Sequence, residues 1–550
     1  MKKFAQKFTL LSVIMGISAS AFVGCSSSSS DVGGGTAVVA ISELNGVFNP
    51  FFYTTSFDRT IYERVFSTLI ELDRQGQYVS GVSDFKIEEK TDDAGEVQTV
   101  YTFTLKDDIK FSDGELMTAE DVMFSFLILL DPTYDGVATM NTLPIVGLDE
   151  YKNGDATEVA GLKQIDDKTV QVTIDGIDPV AMQKFEICIL PKHYYDAEFV
   201  KGDLSKIKEK NGEPMGAGAF IFENFENNVV SLKSNPIYYK GAPKLEKLKF
   251  QVTDNTNLFE AVRTEQVDIA DPSASPEMIA NVEEAGLHYE LVDNLGYGYI
   301  GINAERVPDI NVRKGLMHLM NRKPAIESYY GELATIIERP MSTVSWAYPD
   351  DATEYYGYDV AKAKEYFTLA GYEEVDGKLM KDGKQLRIEV GIPGGGTMDH
   401  PTAPVLTQMK SDMEAMGAVL EIADTDGAIF FDIQKQKGWD MWVAAWGSTP
   451  DPDMYQTYYS TGPSNHYCIN DEELDKIIVE ARKTNDIEVR TELYHQALEI
   501  IMEDAVEMPV YQRKNMYVFN PNMIDIESLP TDMTPYYNFY DELQNVQMAK

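Results

Sequence analysis

Thr99 to Leu105 (TVYTFTL) alternates apolar and polar residues, which predicts a half-buried strand, and Ser112-Asp113-Gly114 predicts a turn after it. A helix is expected next. Thr118 with Asp121 three residues later has the capping-box form, and Val122, Phe126 and Leu129 fall on one helical face. Lys378 to Val390 reads as a hairpin turning at Asp382-Gly383, with Leu386, Ile388 and Val390 on one side. Asp359 to Gly371 reads as a short helix with those two residues as its caps. Asp471 to Lys483 and Ile487 to Met502 read as two amphipathic helices separated by Thr484-Asn485-Asp486. Strand and helix patterns interleave along the chain, so the predicted class is α/β.

The N-terminus has a different pattern. Lys2, Lys3 and Lys7 precede an apolar run, and small residues lead to Gly24-Cys25, as in a secretory signal. The stretch from Phe8 to Val23 is 16 residues and contains Thr and Ser. A spanning helix needs about 20, so cleavage is expected rather than a retained anchor. Ser26 to Ser30 and Gly33 to Gly35 then form a flexible tether, placed at 25–35. The segment resembles a bacterial lipoprotein signal, which implies that residues 1–24 are removed and that Cys25 carries a lipid; Phe22 stands where that family usually has Leu. No later run reaches membrane-spanning length.

Composition narrows the function classes. The 550 residues carry 89 acidic and 47 basic side chains, a formal charge of −42, which becomes −45 once 1–24 and their three lysines are gone. Such a surface repels a phosphate backbone, and no basic stripe reverses the sign, so nucleic acid is excluded as a partner. Cys188 and Cys468 are 280 residues apart and are expected as separate buried thiols. The six histidines never fall within five residues of one another, which excludes a zinc helix of the HExxH kind. Asp424-Thr-Asp426-Gly lacks the glutamate a calcium loop needs at its twelfth position, where Lys435 stands. Gly394-Gly395-Gly396-Thr397 is not followed by Gly-Lys-Ser/Thr, and no GxSxG or GxGxxG occurs. No cofactor or metal is expected. Asp451 and Asp453 are the one pair of carboxylates open to a glycosidase reading.

Aromatic residues make up 11% of the chain and gather in Gly/Pro/Asp-rich segments: Phe51-Phe52-Tyr53, Tyr297-Gly-Tyr299, Trp346-Ala-Tyr348, Trp446, Tyr455 and Tyr458-Tyr459. Such clusters line binding clefts or pack cores. Their neighbourhoods decide between the two. YTFTLKDDIKFSDGELMTAEDVMFSF at 101–126, Met215 to Phe220, Asn235 to Gly241, Ile300 to Asn303 with Val312-Arg313, Asp359 to Lys364 with Ala370-Gly371-Tyr372, and Gly438-Trp439-Asp440 with Trp446, Asp451-Pro452-Asp453 and Asn465 form an ordered series. That series resembles the extracellular solute-binding proteins of peptide-type ABC transporters, over nearly the whole mature chain.

The resemblance implies two lobes around a hinge, with the ligand enclosed between them. Lobe one is expected at 36–305 plus 515–550, with an extra subdomain near 80–210, and lobe two at 306–514. It implies a monomeric, extracytoplasmic, lipid-anchored binding protein that is not an enzyme and whose partners are a peptide and the permease of an ABC importer. A peptide-signal receptor, or a carrier of nickel, haem or oligosaccharide, remains open on the same fold. Tyr297, Tyr299 and Trp446 match the ligand-facing segments of the family. Many members carry an Asp three residues after this Trp, paired with the peptide's α-ammonium; here Thr449 occupies that position in a run one residue shorter. Asp451 either takes over that role or the ligand presents no amine there.

Overall fold

The computed structural model describes residues 35–92, 94–398 and 400–550. The signal segment 1–24, Cys25 and all but the last residue of the tether lie outside the described residues.

Two sheets share one long strand, Glu507–Phe519. Its first half runs antiparallel to Tyr297–Ile302, with Gly301 opposite Glu507, and Ala334–Ile336 pairs with 511–513 on the other edge. Its second half pairs antiparallel with His288–Asp293 and, at 518–519, with Ile269–Ala270. From there the first sheet continues through Thr36–Ile41, parallel to Lys247–Val252, to the antiparallel Val229–Ser234 and Phe220–Glu226. The second sheet continues through Met441–Trp446, antiparallel to Tyr297–Ile302, to Arg387–Ile392 and Val419–Asp424, both parallel.

The chain therefore passes from one sheet to the other at 293–297 and again at 513–514. Tyr297–Ile302, which the expected layout assigned to lobe one, pairs with Met441–Trp446 and with the first half of Glu507–Phe519. The two crossings lie side by side and are tied together by polar contacts. The Asn294 N–H donates to the Arg513 carbonyl at 2.8 Å, Asn294 Nδ2 to Asn515 Oδ1 at 2.9 Å, and Gln512 Nε2 to the Asn294 carbonyl at 2.7 Å.

A third sheet, of Ser83–Thr91, Val97–Leu105, Thr169–Asp175 and Leu162–Gln164, is antiparallel throughout. The expected helix packs on it as Ala119–Leu130. Asp121 accepts the Thr118 N–H at 2.9 Å, the reciprocal half of the capping box. Nine of the helix's twelve residues are buried, so it is a core helix rather than a surface one. The other predicted helices form as Val360–Leu369, Glu472–Ala481 and Ile487–Glu503, each N-capped by the aspartate before it.

The hairpin expectation needs correction. Asp382 and Gly383 do turn the chain, both at positive φ, but only Lys384–Gln385 pairs back on 380–381. Arg387–Ile392 leaves to join the large sheet, where Ile388 and Val390 are buried in a core that a two-stranded ribbon cannot offer. Cys188 and Cys468 are buried and free. Among the described residues no helix is long and apolar enough to cross a membrane.

Candidate functional site

The strand pairing of Tyr297–Ile302 with Met441–Trp446 sets Tyr297 opposite Trp446 and Gly301 opposite Trp442. Alternation puts Tyr297 and Tyr299 on one face, with Trp442 and Trp446 on the same face of the neighbouring strand. Tyr299 stacks under Trp446, with ring centroids 5.7 Å apart and planes 6° apart, and accepts a hydrogen bond from Trp442 Nε1 at 3.2 Å. Gly301 is required by this close approach: a Cβ there would stand 2.4 Å from the Trp442 ring.

Trp446 forms part of the wall of a cavity of about 310 Å³, with Tyr297, Tyr458, Thr449, Asp451 and Asp453. Val180, Gln183 and Lys184, which follow the third sheet in the chain, line it as well. Of the residues expected to contact ligand, Tyr297, Trp446, Thr449 and Asp451 share this cavity. Tyr299 does not line it. It is almost wholly buried and acts from behind, as the platform on which the Trp446 indole rests. Nor do Phe51 and Phe52 belong here, being buried in the first lobe's core.

Behind the wall lies a group that the sequence reading did not single out. Glu507, on the shared strand, is fully buried. Its Oε1 accepts from the Tyr297 hydroxyl at 3.0 Å, and its Oε2 accepts from Tyr458 at 2.7 Å and from Tyr467. Tyr467 in turn accepts from Trp446 Nε1 at 2.9 Å. One carboxylate thus orders two cavity-lining tyrosines directly and the tryptophan through a third. No cation pairs with it among the described residues. Burial pushes the Glu507 carboxyl up to about 7, against the pull of its hydroxyl donors. The same burial, and the nearby carboxylate, push all three phenols well above their ordinary range. A lone Glu in the otherwise apolar run Ala505–Val510 was the available signal.

Asp451 is already engaged. Its two oxygens take Arg490 Nη1 and Nη2 at 2.7 Å each, a bidentate pair that is buried on both sides. Arg490 also donates to the Tyr494 hydroxyl at 2.8 Å and lies over the Trp346 ring. This geometry ties the loop after Trp446 to the helix Ile487–Glu503, with each Asp451 oxygen engaged by one guanidinium nitrogen. It also removes Asp451 as a glycosidase nucleophile or acid. Asp453 is held more loosely, with Arg482 at 3.7 Å, and burial raises its carboxyl. The exposed Thr449 turns its hydroxyl onto the Asp451 carbonyl at 2.6 Å. Asp426 N-caps the helix Gly427–Lys435, in keeping with a turn at that sequence rather than a cation loop.

Residues 89–467 match the family described as "Bacterial extracellular solute-binding proteins, family 5 Middle". The chain is 26% identical over 552 residues to the oligopeptide-binding protein AppA of Bacillus subtilis, covering 95% of this chain and 96% of that one. It is 23% identical to the heme-binding protein A of Haemophilus influenzae, over 80% of each. Among solved structures, an ABC transporter substrate-binding protein, CtaP of Listeria monocytogenes, superposes with a TM-score of 0.76 at 20% identity, covering 94% of this chain and all of that one. AppA of Bacillus subtilis in complex with a nonapeptide gives 0.69 at 21% identity, over 94% and 99%.

Proposed function

This chain belongs to family 5 of the bacterial extracellular solute-binding proteins, and from that premise we propose that it captures a peptide between its lobes and delivers it to an ABC importer. It is a binding protein of the extracytoplasmic space and not an enzyme. The observation that carries the peptide reading is the cavity at Trp446, whose walls come from both sides of the crossing strands. A ligand seated there touches both lobes at once only when they approach, so binding shifts the population toward the closed form. In our reading lobe one comprises 35–293 and 514–550, with the third sheet as its added subdomain, and lobe two comprises 297–513. Tyr297, Trp446 and Thr449 contact the ligand, while Tyr299, Asp451 and Glu507 hold those contacts in place. Cys25 carries the lipid anchor, and the protein works as a monomer docking on its permease.

Mass spectrometry of material released when the purified protein is denatured tests this. A pool of peptides is the expected result. Release of an oligosaccharide, a haem or a nickel complex in stoichiometric amount overturns it.

A further inference from the structure

Next to the Trp446 cavity a second one, of about 450 Å³, shares Gln183, Ser448 and Thr449 with it. Its lining is strongly charged, with four acids, Glu63, Glu71, Glu186 and Asp541, against three cations, Arg59, Arg64 and Lys240. The cations are spoken for. Arg59 donates to Glu63 at 2.6 Å and Arg64 to the other oxygen of Glu63 at 3.1 Å. Lys240 sits 2.5 Å from Glu71, whose remaining oxygen accepts from the Tyr239 hydroxyl at 3.0 Å. Asp541 accepts the Asn538 N–H at 2.8 Å, closing a capping box.

Glu186 alone among these acids has no hydrogen bond or ion pair with any described residue. It directly follows the helix Ala181–Phe185, whose Phe185 is anchored in the core, so the backbone delivering it to the cavity is fixed. Burial drives its carboxyl up to about 7; Arg59 opposes this, while Glu63, Asp541 and Glu71 reinforce it. Glu186 is half-buried, and its ionised form loses part of its hydration with no fold contact to replace it. An anionic ligand group would be repelled by the excess acid, and a neutral one would strip water from Glu186 without replacing it. A cationic group offsets that loss. Thr449, which borders both cavities, supplies no charge.

We propose that Glu186 is the counter-charge for a cationic nitrogen of the bound ligand, so that this protein selects peptides presenting an ammonium or a basic side chain in the second cavity. The proposal rests on the peptide reading above. It places the charge recognition on the wall facing the Trp446 loop rather than within that loop, and it makes affinity depend on pH. Glu186 must be ionised to attract the ligand, so the preference is present above about pH 7 and fades as pH falls.

Calorimetry with alanine-based peptides of graded length tests it, in three forms: free N-terminus, N-acetylated, and N-acetylated with one Lys or norleucine. The expected result is at least about tenfold tighter binding of the free amine or the Lys peptide over its neutral analogue at pH 8. That preference is lost in Glu186→Gln, an isosteric change at a cavity wall, while the neutral peptide binds both proteins alike. Comparing the free-amine arm with the Lys arm tells which nitrogen is read. Equal binding of charged and neutral peptides, or a preference unchanged in Glu186→Gln with its fold intact by circular dichroism, overturns the role of Glu186 and leaves peptide capture standing. Failure of every peptide to bind, with a non-peptide recovered from the purified protein, overturns the peptide reading and this proposal with it.

Discussion

Glu507→Gln separates the charge of the buried carboxylate from its shape. The carboxyl sits at about 7 in the folded protein against an ordinary 4.5. The unfolded chain therefore releases this proton first as pH rises, and the folded state binds more protons between those two values. Stability from this group is fully present below about pH 4.5, declines as pH rises to about 7 and is flat above. At about 1.4 kcal/mol per pH unit the total is on the order of 3 kcal/mol. Gln cannot ionise and keeps a carbonyl that accepts from Tyr458 or Tyr467. Relative to wild type, the variant should therefore gain about 3 kcal/mol between pH 4.5 and 8. Urea unfolding of both proteins across that range measures it, because the other titrating groups cancel in the difference. Tryptophan fluorescence isolates the relevant lobe, since all four tryptophans, at 346, 439, 442 and 446, lie in the second one. A wild-type-minus-variant difference that stays constant with pH refutes the uncompensated carboxylate.

Trp446→Ala should weaken ligand binding at least about tenfold, roughly 1.4 kcal/mol, with the lobe still folded; unchanged affinity by calorimetry refutes the placement of the indole in the site. Asp451→Ala strands a buried Arg490 guanidinium and should cost about 3–5 kcal/mol of stability, read as a drop in the second lobe's unfolding midpoint, whereas a surface ion pair would cost less than about 1. Gly301→Val forces a side chain into the Trp442 ring and should destabilise by about 1–3 kcal/mol, with a loss of near-ultraviolet circular dichroism from the displaced indole.

Local signals were legible in the sequence. The caps at Thr118 and Asp359 each announced a helix that forms, because a cap is a contact between residues two or three apart, and the amphipathic stretches after Asp471 and Asp486 announced two more. Alternation at Arg387–Ile392 correctly marked a strand but not its partner: an in-out pattern states that one face is buried and is silent on which strand lies alongside. The family series pointed to Tyr297, Tyr299 and the loop carrying Trp446, but not to the stacking of Tyr299 against the Trp446 ring. On a strand pair its face is set by Trp446 stacking over it, which no spacing within Tyr297-Gly-Tyr299 reveals. Glu507 stayed hidden for the same reason. Its donors are 210, 49 and 40 residues away in sequence and meet only through the sheet.

The two chain crossings at 293–297 and 513–514 run next to each other and are stitched by Asn294, Gln512 and Asn515. Two parallel, cross-linked straps resist shear and twist but bend readily about the line they share, as a door does on its pins. The cleft then opens and shuts along one coordinate whatever occupies it. A membrane partner touching the outer rims of both lobes receives a single message, the gap width, from ligands that differ in size and sequence. Chemical identity is checked inside the cleft, and what is broadcast outside is only that the check has been passed.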